Sequence, residues 1–544
     1  MKKNLKHSVI VVIGILLLNI VASYFYSRWD LTADKRHTLT ETSKDLVEKI
    51  DTDILIKVYL EGDFPLDFKR LQQATKQHLE ELKALNAHIH YRFINPSSIE
   101  EELIQNGMQP SRLTMEENGV VSEAIIFPWA SIRFKDKDVQ IALLTESQTD
   151  QKNQLQNSIE HIEYAFSEGI HKLTQKKRKT IAILRGNGEL DDIYLYDFLK
   201  SLQEKYDLAP FILTKENAAP QEILADLQNF DLTVIAKPTQ SFSETEKLVL
   251  DQYIVKGGKS LWLLDYVYAE MDSLQQSGAA FVTHRDLNLT DLLFAYGIRI
   301  NHNLIQDLYS SKIALATGNV GNQTQFQQFL WSYYPLVTSK SDHPITKNLK
   351  GVNLKFPSSI DTLKNAITKT ILLQSSPLSK KNGLPILVNL ASIADEVKPE
   401  EYAEKEHVFG VLLEGQFESA FQHRTKSFET DFTPKGMPNK MIVLSDGDII
   451  ANQVLNGQPT RLDVDKWTGQ QFGNKDFLLN AVDYLLDDTG LVAIRGKSLD
   501  IKLLNKEKVY EEKRFWQFLN IVVPLVLLGL FGVFFGYYRK KKYA

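Results

Sequence analysis

The chain has 544 residues and a formal net charge of −5, from 63 basic and 68 acidic side chains. That near-balance excludes a general nucleic-acid binder, which carries a basic excess, and the length sets an expectation of roughly three or four domains. Cysteine is absent, which removes disulfides, thiolate nucleophiles, Cys-ligated zinc and iron–sulfur clusters together.

From Ser8 to Ser27 no residue is charged, a length that crosses a bilayer. Lys2, Lys3 and Lys6 precede the run, and Tyr24, Phe25, Tyr26 and Trp29 follow it as an interfacial belt. A cleaved signal peptide is the competing reading, with Val-Ala-Ser at 21–23 as its site. Thr40 is placed to cap a helix. Ile54–Leu60 reads as a strand, Phe68–Leu85 as an amphipathic helix, Ile89–Ile94 as a strand and Ile99–Asn106 as a short helix. Glu123–Phe134 and Val139–Leu144 read as a strand pair around Lys135-Asp136-Lys137-Asp138. This β-α-β-α-β-β order is that of a thioredoxin-like sheet, and without a Cys-x-x-Cys only its scaffold is retained.

Gln151–Leu173 is expected as a polar-rich connector helix, closed by the solvated basic run Lys176–Lys179. Strands and helices then alternate. Strands are expected at Thr180–Leu184, Phe211–Thr214, Leu232–Ala236 and Ser260–Leu264; helices at Asp191–Lys205, Gln221–Leu227 and Ser243–Val255. Such alternation means βαβ units and a mostly parallel sheet covered on both faces. Residues 288–399 give only the apolar pieces Thr370–Gln374 and Pro385–Leu390. Phe409–Glu414 and Lys440–Leu444 read as strands, Phe472–Asp487 as a helix and Leu491–Arg495 as a strand. Asn505–Arg514 is expected to run as a helix into a second charge-free span, Phe515–Tyr538, stopped by Arg539, Lys540, Lys541 and Lys542. Both tails are basic, so both termini are expected in the cytoplasm and the bulk of the chain in the periplasm. Gly529, Gly532 and Gly536 share one face of the second span, either as a packing surface for another membrane helix or as lipid-facing filler.

The candidate chemistry is sparse. Gly257-Gly258-Lys259-Ser260 lacks the earlier glycine of a phosphate-binding loop, since position 253 is Tyr, and Ser260 opens a strand instead of a helix. Gly186-Asn187-Gly188-Glu189 stands where α/β folds bind ligands, or is simply a tight turn. Glu189 and Asp191 offer polar ligands there. Asp265 ends one strand, and Ser445-Asp446-Gly447-Asp448 follows another, where α/β chemistry usually gathers. The same Asp-Gly also makes a plain turn, with Asp448 as a helix cap. His88 and His90 share a strand face, but two histidines alone do not make a metal site. No catalytic residue, metal or cofactor is therefore expected. The ligand-binding candidates are Gly186, Gly188, Glu189, Asp265, Asp446 and Asp448.

Taken in order, several segments resemble the GldG family, gliding-motility-associated ABC-transporter auxiliary proteins of Bacteroidetes. They are Asp30-Leu31-Thr32 with Lys35-Arg36 and Leu39-Thr40; Phe93-Ile94-Asn95-Pro96; Ile126-Phe127-Pro128-Trp129-Ala130; and Gly186-x-Gly188-Glu189. Further on come Tyr253–Leu264, Val411-Leu412-Leu413-Glu414-Gly415 with Phe417, Ser419 and Phe421, and Ser445–Asp448. The resemblance implies a GldF-like multi-span permease and a GldA-like ATPase as partners and a substrate-binding-like component, and a transporter subunit of this kind is expected to meet a cell-wall or periplasmic ligand. It also implies a central glutamine-amidotransferase-like α/β domain whose activity a cysteine-free chain does not inherit. The family turn is often Gly-His-Gly-Glu; Asn187 stands here in the place of His. The expected domains are a tail and span at 1–29, a thioredoxin-like domain at 30–150, a connector at 151–178, the amidotransferase-like domain at 179–504, and the juxtamembrane helix, span and basic tail at 505–544. Two function classes follow: a non-enzymatic transporter subunit, or a membrane-tethered hydrolase or carbohydrate-binding enzyme using the strand-end carboxylates.

Overall fold

The computed structural model describes residues 38–494 and 512–543, with Gly14, and excepts 63, 65, 118–119, 146–150, 176, 216–217, 321–322, 339–342 and 403–404. The first expected span and the juxtamembrane stretch 505–511 lie outside the described residues. The chain divides into two units, residues 37–497 and the pair of ends 1–36 with 498–544.

The larger unit begins with a helix, Glu41–Glu48, capped by Thr40, whose hydroxyl accepts the Ser43 N–H. Strands β1 (Ile54–Val58) and β2 (Ile89–Phe93) run parallel. The sequence assigns no element to 111–117 and reads 123–134 as one strand. The structure instead has the hairpin β3 (Ser111–Glu117) and β4 (Val120–Ile126), then a separate β5 (Trp129–Phe134). Pro128, which has no N–H for a ladder, makes the break, and the Trp129 N–H closes a tight turn onto the Phe127 carbonyl at 2.8 Å. With β6 (Lys137–Ala142), the sheet order is β2-β1-β5-β6, β5 lying antiparallel to both neighbours. The helices Leu66–Leu85 and Gln151–Thr174 pack on this sheet, burying Phe68, Leu79, Ile162 and Phe166 in one core with Ile54, Ile56 and Ile132. The helix expected as a connector is thus an integral wall of that core.

A seven-stranded sheet follows. β7 (Thr180–Arg185), β8 (Asp207–Ile212), β9 (Leu232–Ala236), β10 (Lys259–Leu263) and the strand Lys435–Leu444 are parallel. Val408–Glu418 and Thr368–Gln374 extend one edge antiparallel. The near-continuous apolar strands reflect burial on both faces. One face packs Leu224, Leu250, Tyr253 and Leu292; the other packs Phe198, Phe477, Leu478 and Val482. Glu244–Val255 starts with a full capping box, Ser243 and Glu246 satisfying each other's backbone N–H groups.

Between β10 and the edge strands lies a β-rich insertion. Its longest feature is the hairpin Ser310–Val320/Gln323–Val337, and Trp331, Tyr333, Tyr334 and Phe356 form its core with Val267 and Leu304. Other pairings in it span long separations, as between Asn303–Asp307 and Ser379–Gly383.

Leu491–Ile494 is a helical turn, not the expected strand. The Asp487 carboxylate accepts N–H bonds from Thr489, Gly490 and Val492, which bends the chain into a turn, and Leu491 and Ile494 close over Tyr164.

In the other unit, Lys513–Tyr543 is a single helix of 31 residues. At 1.5 Å per residue it is about 46 Å long, enough to span a bilayer with its headgroups. It is apolar, has no share buried, and carries Lys540, Lys541 and Lys542 in its last turn. A Cβ built on Gly529, Gly532 or Gly536 meets nothing within 4 Å.

Candidate functional site

The carboxyl ends of the parallel strands bring three of the sequence candidates together. Asp265 follows β10 by two residues, and Asp446 and Asp448 follow Lys435–Leu444, which pairs with β10. Each offers one oxygen, and these lie within 4.8 Å of one another. Sequence reasoning missed the fourth member, Lys237, which directly follows β9. Its side chain is 5% exposed, and Nζ lies 2.7 Å from Asp448, 3.1 Å from Glu270 and 3.4 Å from Asp265. The three carboxylates have a spacing that suits a cation, and the ammonium group already stands among them. A lysine closing a wholly buried strand, beside two strands that end in aspartate, was the signal available in the sequence.

The backbone is bent to make this knot. Lys237 has φ +53°, a left-handed conformation unusual for a residue other than glycine, and its N–H donates to the Leu263 carbonyl. Asp265 accepts the Gly447 N–H at 2.5 Å. Asp446 accepts N–H bonds from Lys355 at 2.6 Å and Asp448 at 2.8 Å. Asp448 does not cap with its own side chain; Asp446 closes that turn for it. Arg285, also buried, adds a second cation 3.7 Å from Glu270.

Burial pushes the Asp265 carboxyl up to about 6, against the pull of Lys237. Burial, with repulsion from Asp265 and Asp448, raises Asp446 well above the usual carboxylate range. Burial acts to raise Asp448 too, but Lys237 and Lys355 outweigh it and hold that carboxyl low. Burial opposes the Lys237 charge, and its carboxylate neighbours overcome it, so the ammonium is held strongly. The arrangement is an ionic knot in which burial and mutual repulsion favour protonation on the Asp265/Asp446 side.

Gly186, Gly188 and Glu189 belong to a separate turn. The sheet order places β7 between β8 and β9, a switch point whose crevice commonly takes a ligand. Here the chain stitches that crevice to itself. The Asn187 carbonyl accepts N–H bonds from Thr239 and Gln240, both 2.9 Å, and the Thr239 hydroxyl donates to the Gly188 carbonyl. Gly186 and Gly188 have φ of +112° and +72°, and a Cβ on Gly188 would stand 2.1 Å from the Thr239 hydroxyl. Glu189 turns back to accept the Asn187 N–H, and burial raises its carboxyl.

The remaining motifs have structural partners. Gly257, at φ +102°, links helix to strand, and a Cβ on Gly258 would strike the Tyr253 ring. Arg178 donates to the carbonyls of Gln203, Lys205 and Tyr206, and Lys179 pairs with Asp231 and Asp488. His88 and His90 both face Asp53 on the surface, at 2.7 and 3.6 Å.

Beside the knot lies a cavity of about 500 Å³. Lys237, Glu270 and Asp448 form part of its wall, and Lys355, Tyr334 and Trp467 complete it from the insertion and the 464–471 loop.

A two-face-covered α/β unit with a separate long apolar helix defines a membrane-associated protein. Residues 178–481 match the family described as ABC-type uncharacterized transport system, and the chain belongs to that family: it is an auxiliary protein of an ABC-type transport system. Residues 33–133, around the first sheet, match a domain of unknown function, DUF7088. No curated protein matches. Among solved structures, the mmIFT52 N-terminal domain is 13% identical, covering 60% of this chain and 100% of its own, with a TM-score of 0.31. A thua-like protein from Parabacteroides merdae ATCC 43184 is 11% identical, covering 56% of this chain and 99% of its own, with a TM-score of 0.24.

Proposed function

We propose that this chain is a non-enzymatic, membrane-anchored periplasmic subunit of a GldG-like complex, working with a GldF-like permease and a GldA-like ATPase in gliding motility. The family match over 178–481 carries the reading. The apolar helix with its basic end supports a membrane anchor with a cytoplasmic C-terminus, and the charge-free run 8–27 supports a second span in the opposite direction. The thioredoxin-like and amidotransferase-like assignments, with boundaries at 30–150 and 179–504, belong to this proposal. The strand-end carboxylates favour a scaffold over the hydrolase alternative, because Asp265 and Asp448 are tied to Lys237 and Asp446 is tied to the backbone N–H groups of Lys355 and Asp448. Gly529, Gly532 and Gly536 are proposed to pack against the permease.

The test is affinity purification of the full chain from native membranes. A multi-span permease and an ATPase should co-purify, and replacing the three glycines with Leu should reduce their yield without changing the melting of the outer unit. Purification of the intact chain with neither partner would overturn the proposal. A reporter active only in the periplasm, fused after residue 544, should stay silent; a strong signal would reverse the topology.

A further inference from the structure

We propose that the cavity beside the ionic knot, with an aromatic platform at its rim, binds a neutral oligosaccharide. The platform is Trp467, 52% exposed, stacked on Phe326, 55% exposed, with ring centroids 5.6 Å apart and planes at 25°. Trp467 also lines the cavity. Two large rings held open to solvent are apolar surface that water disfavours, and the C–H face of a pyranose suits the negative face of an aromatic ring.

The loop that carries Trp467 is pinned before any ligand arrives. The Asp465 carboxylate accepts the Trp467 N–H at 3.0 Å and the Thr468 N–H at 2.7 Å. Gln453 donates to that carboxylate, and Gln328, on the hairpin strand that carries Phe326, donates to the Thr468 carbonyl. A preformed platform loses little entropy on binding.

The charge on the wall selects the ligand class. Lys237, Lys312, Lys355 and Lys466 line the cavity, opposed by Glu270, Asp272, Asp448 and Asp465. Equal numbers of each sign, interspersed, favour neither an anion nor a divalent cation. Lys237 is already held by carboxylates, and Lys466 donates to the Val454 carbonyl at 2.7 Å. Tyr194, Asp272, Gln275 and Lys312 also line the cavity, and their side chains make no hydrogen bond or ion pair among the described residues. Donors and acceptors mixed around a half-exposed ring match a chain of hydroxyls, and the volume lies within the usual range for ligand sites of roughly 300–1,000 Å³. The inference relies on the outward placement proposed above only for access to glycans; binding by the purified chain does not depend on it.

The test is calorimetric titration of the full chain, in a zwitterionic detergent without a sugar headgroup, with tetramers of N-acetylglucosamine and of glucose. Inorganic phosphate and magnesium serve as competing probes. At least one tetramer should bind saturably with Kd below about 1 mM. Trp467→Ala should weaken it about tenfold or more, with Trp467→Phe intermediate, while circular dichroism and melting stay unchanged. Three results would each overturn the proposal: no binding of either tetramer, full affinity in Trp467→Ala, or tighter binding of phosphate or magnesium at the same residues. Loss of partner co-purification would leave this result standing, so the two proposals fail separately.

Discussion

The ionic knot and the cavity beside it share a wall and have opposite characters. In the knot, the lysine and the strand-end carboxylates are answered within the chain: Lys237 by Asp448, Glu270 and Asp265, and Asp446 by two backbone N–H groups. In the cavity, polar side chains face open space and an indole stands half exposed. Carboxylates at strand ends therefore mark a site only when their partners are missing. Here they fasten β9, β10 and Lys435–Leu444 together at one end, and the unanswered groups sit a few residues away.

The largest expected effect tests whether the knot is a fastening. Lys237→Met leaves three carboxylates facing one another in a mostly buried space, and losing one partner of a buried ionic cluster costs about 3–5 kcal/mol. Denaturant unfolding of the full chain, followed by the fluorescence of buried Trp262, should show that loss. Adding Asp448→Asn and Asp265→Asn should restore much of it, because the uncompensated charges go too. If Lys237→Met costs under about 1 kcal/mol, the knot is solvated and the contrast with the cavity disappears.

A smaller effect concerns the proton. The folded-state pKa of Asp265 is raised to about 6, mainly by burial. A carboxyl raised on folding binds its proton more tightly in the folded chain. Its contribution thus improves as pH falls from 7 through 6 toward the ordinary value near 3.8, and is unfavourable above 6. Asp446 is raised and acts in the same sense; Asp448 is lowered and loses its contribution only in stronger acid. Asp265→Asn should therefore gain on the natural chain at pH 7, by on the order of 2 kcal/mol, and the advantage should narrow by pH 5. An advantage that widens on acidification would mean that Lys237 keeps Asp265 charged, making the knot a fixed ion pair without a shared proton.

Much of the parallel sheet was legible because buried strands are short apolar runs and its helices carry strong start signals, such as Ser243 with Glu246. Asp265, Asp446 and Asp448 were legible as strand-end carboxylates, but their meaning was not. That depended on Lys237, more than twenty residues before Asp265, and on Lys355 and Arg285 from the insertion. The insertion itself was opaque: apart from its long hairpin, its strands pair across long separations, and a few residues of alternating polarity do not reveal a distant partner. Hairpin β3/β4 was missed for a local reason. Arg112, Thr114, Glu116 and Glu117 read as polar chain, and only the pairing with Val120–Ile126 makes 111–117 a strand.

The smallest expected effect concerns the rim of the cavity. The Trp467 backbone N–H is held by Asp465, and its ring meets Phe326 with both rings more than half exposed. Truncation to Ala removes a contact that was largely in water and leaves the Asp465 bonds in place, since they run to the backbone. An exposed substitution away from buried or strained features stays within about 0.5 kcal/mol. Trp467→Ala should thus unfold at the same denaturant concentration as the natural chain, while Lys237→Met unfolds far earlier. A loss above about 1.5 kcal/mol would make the Trp467–Phe326 stack a clasp between the hairpin and the 464–471 loop. The indole would then be explained by stability alone, and the cavity would join the knot as a region whose groups answer one another.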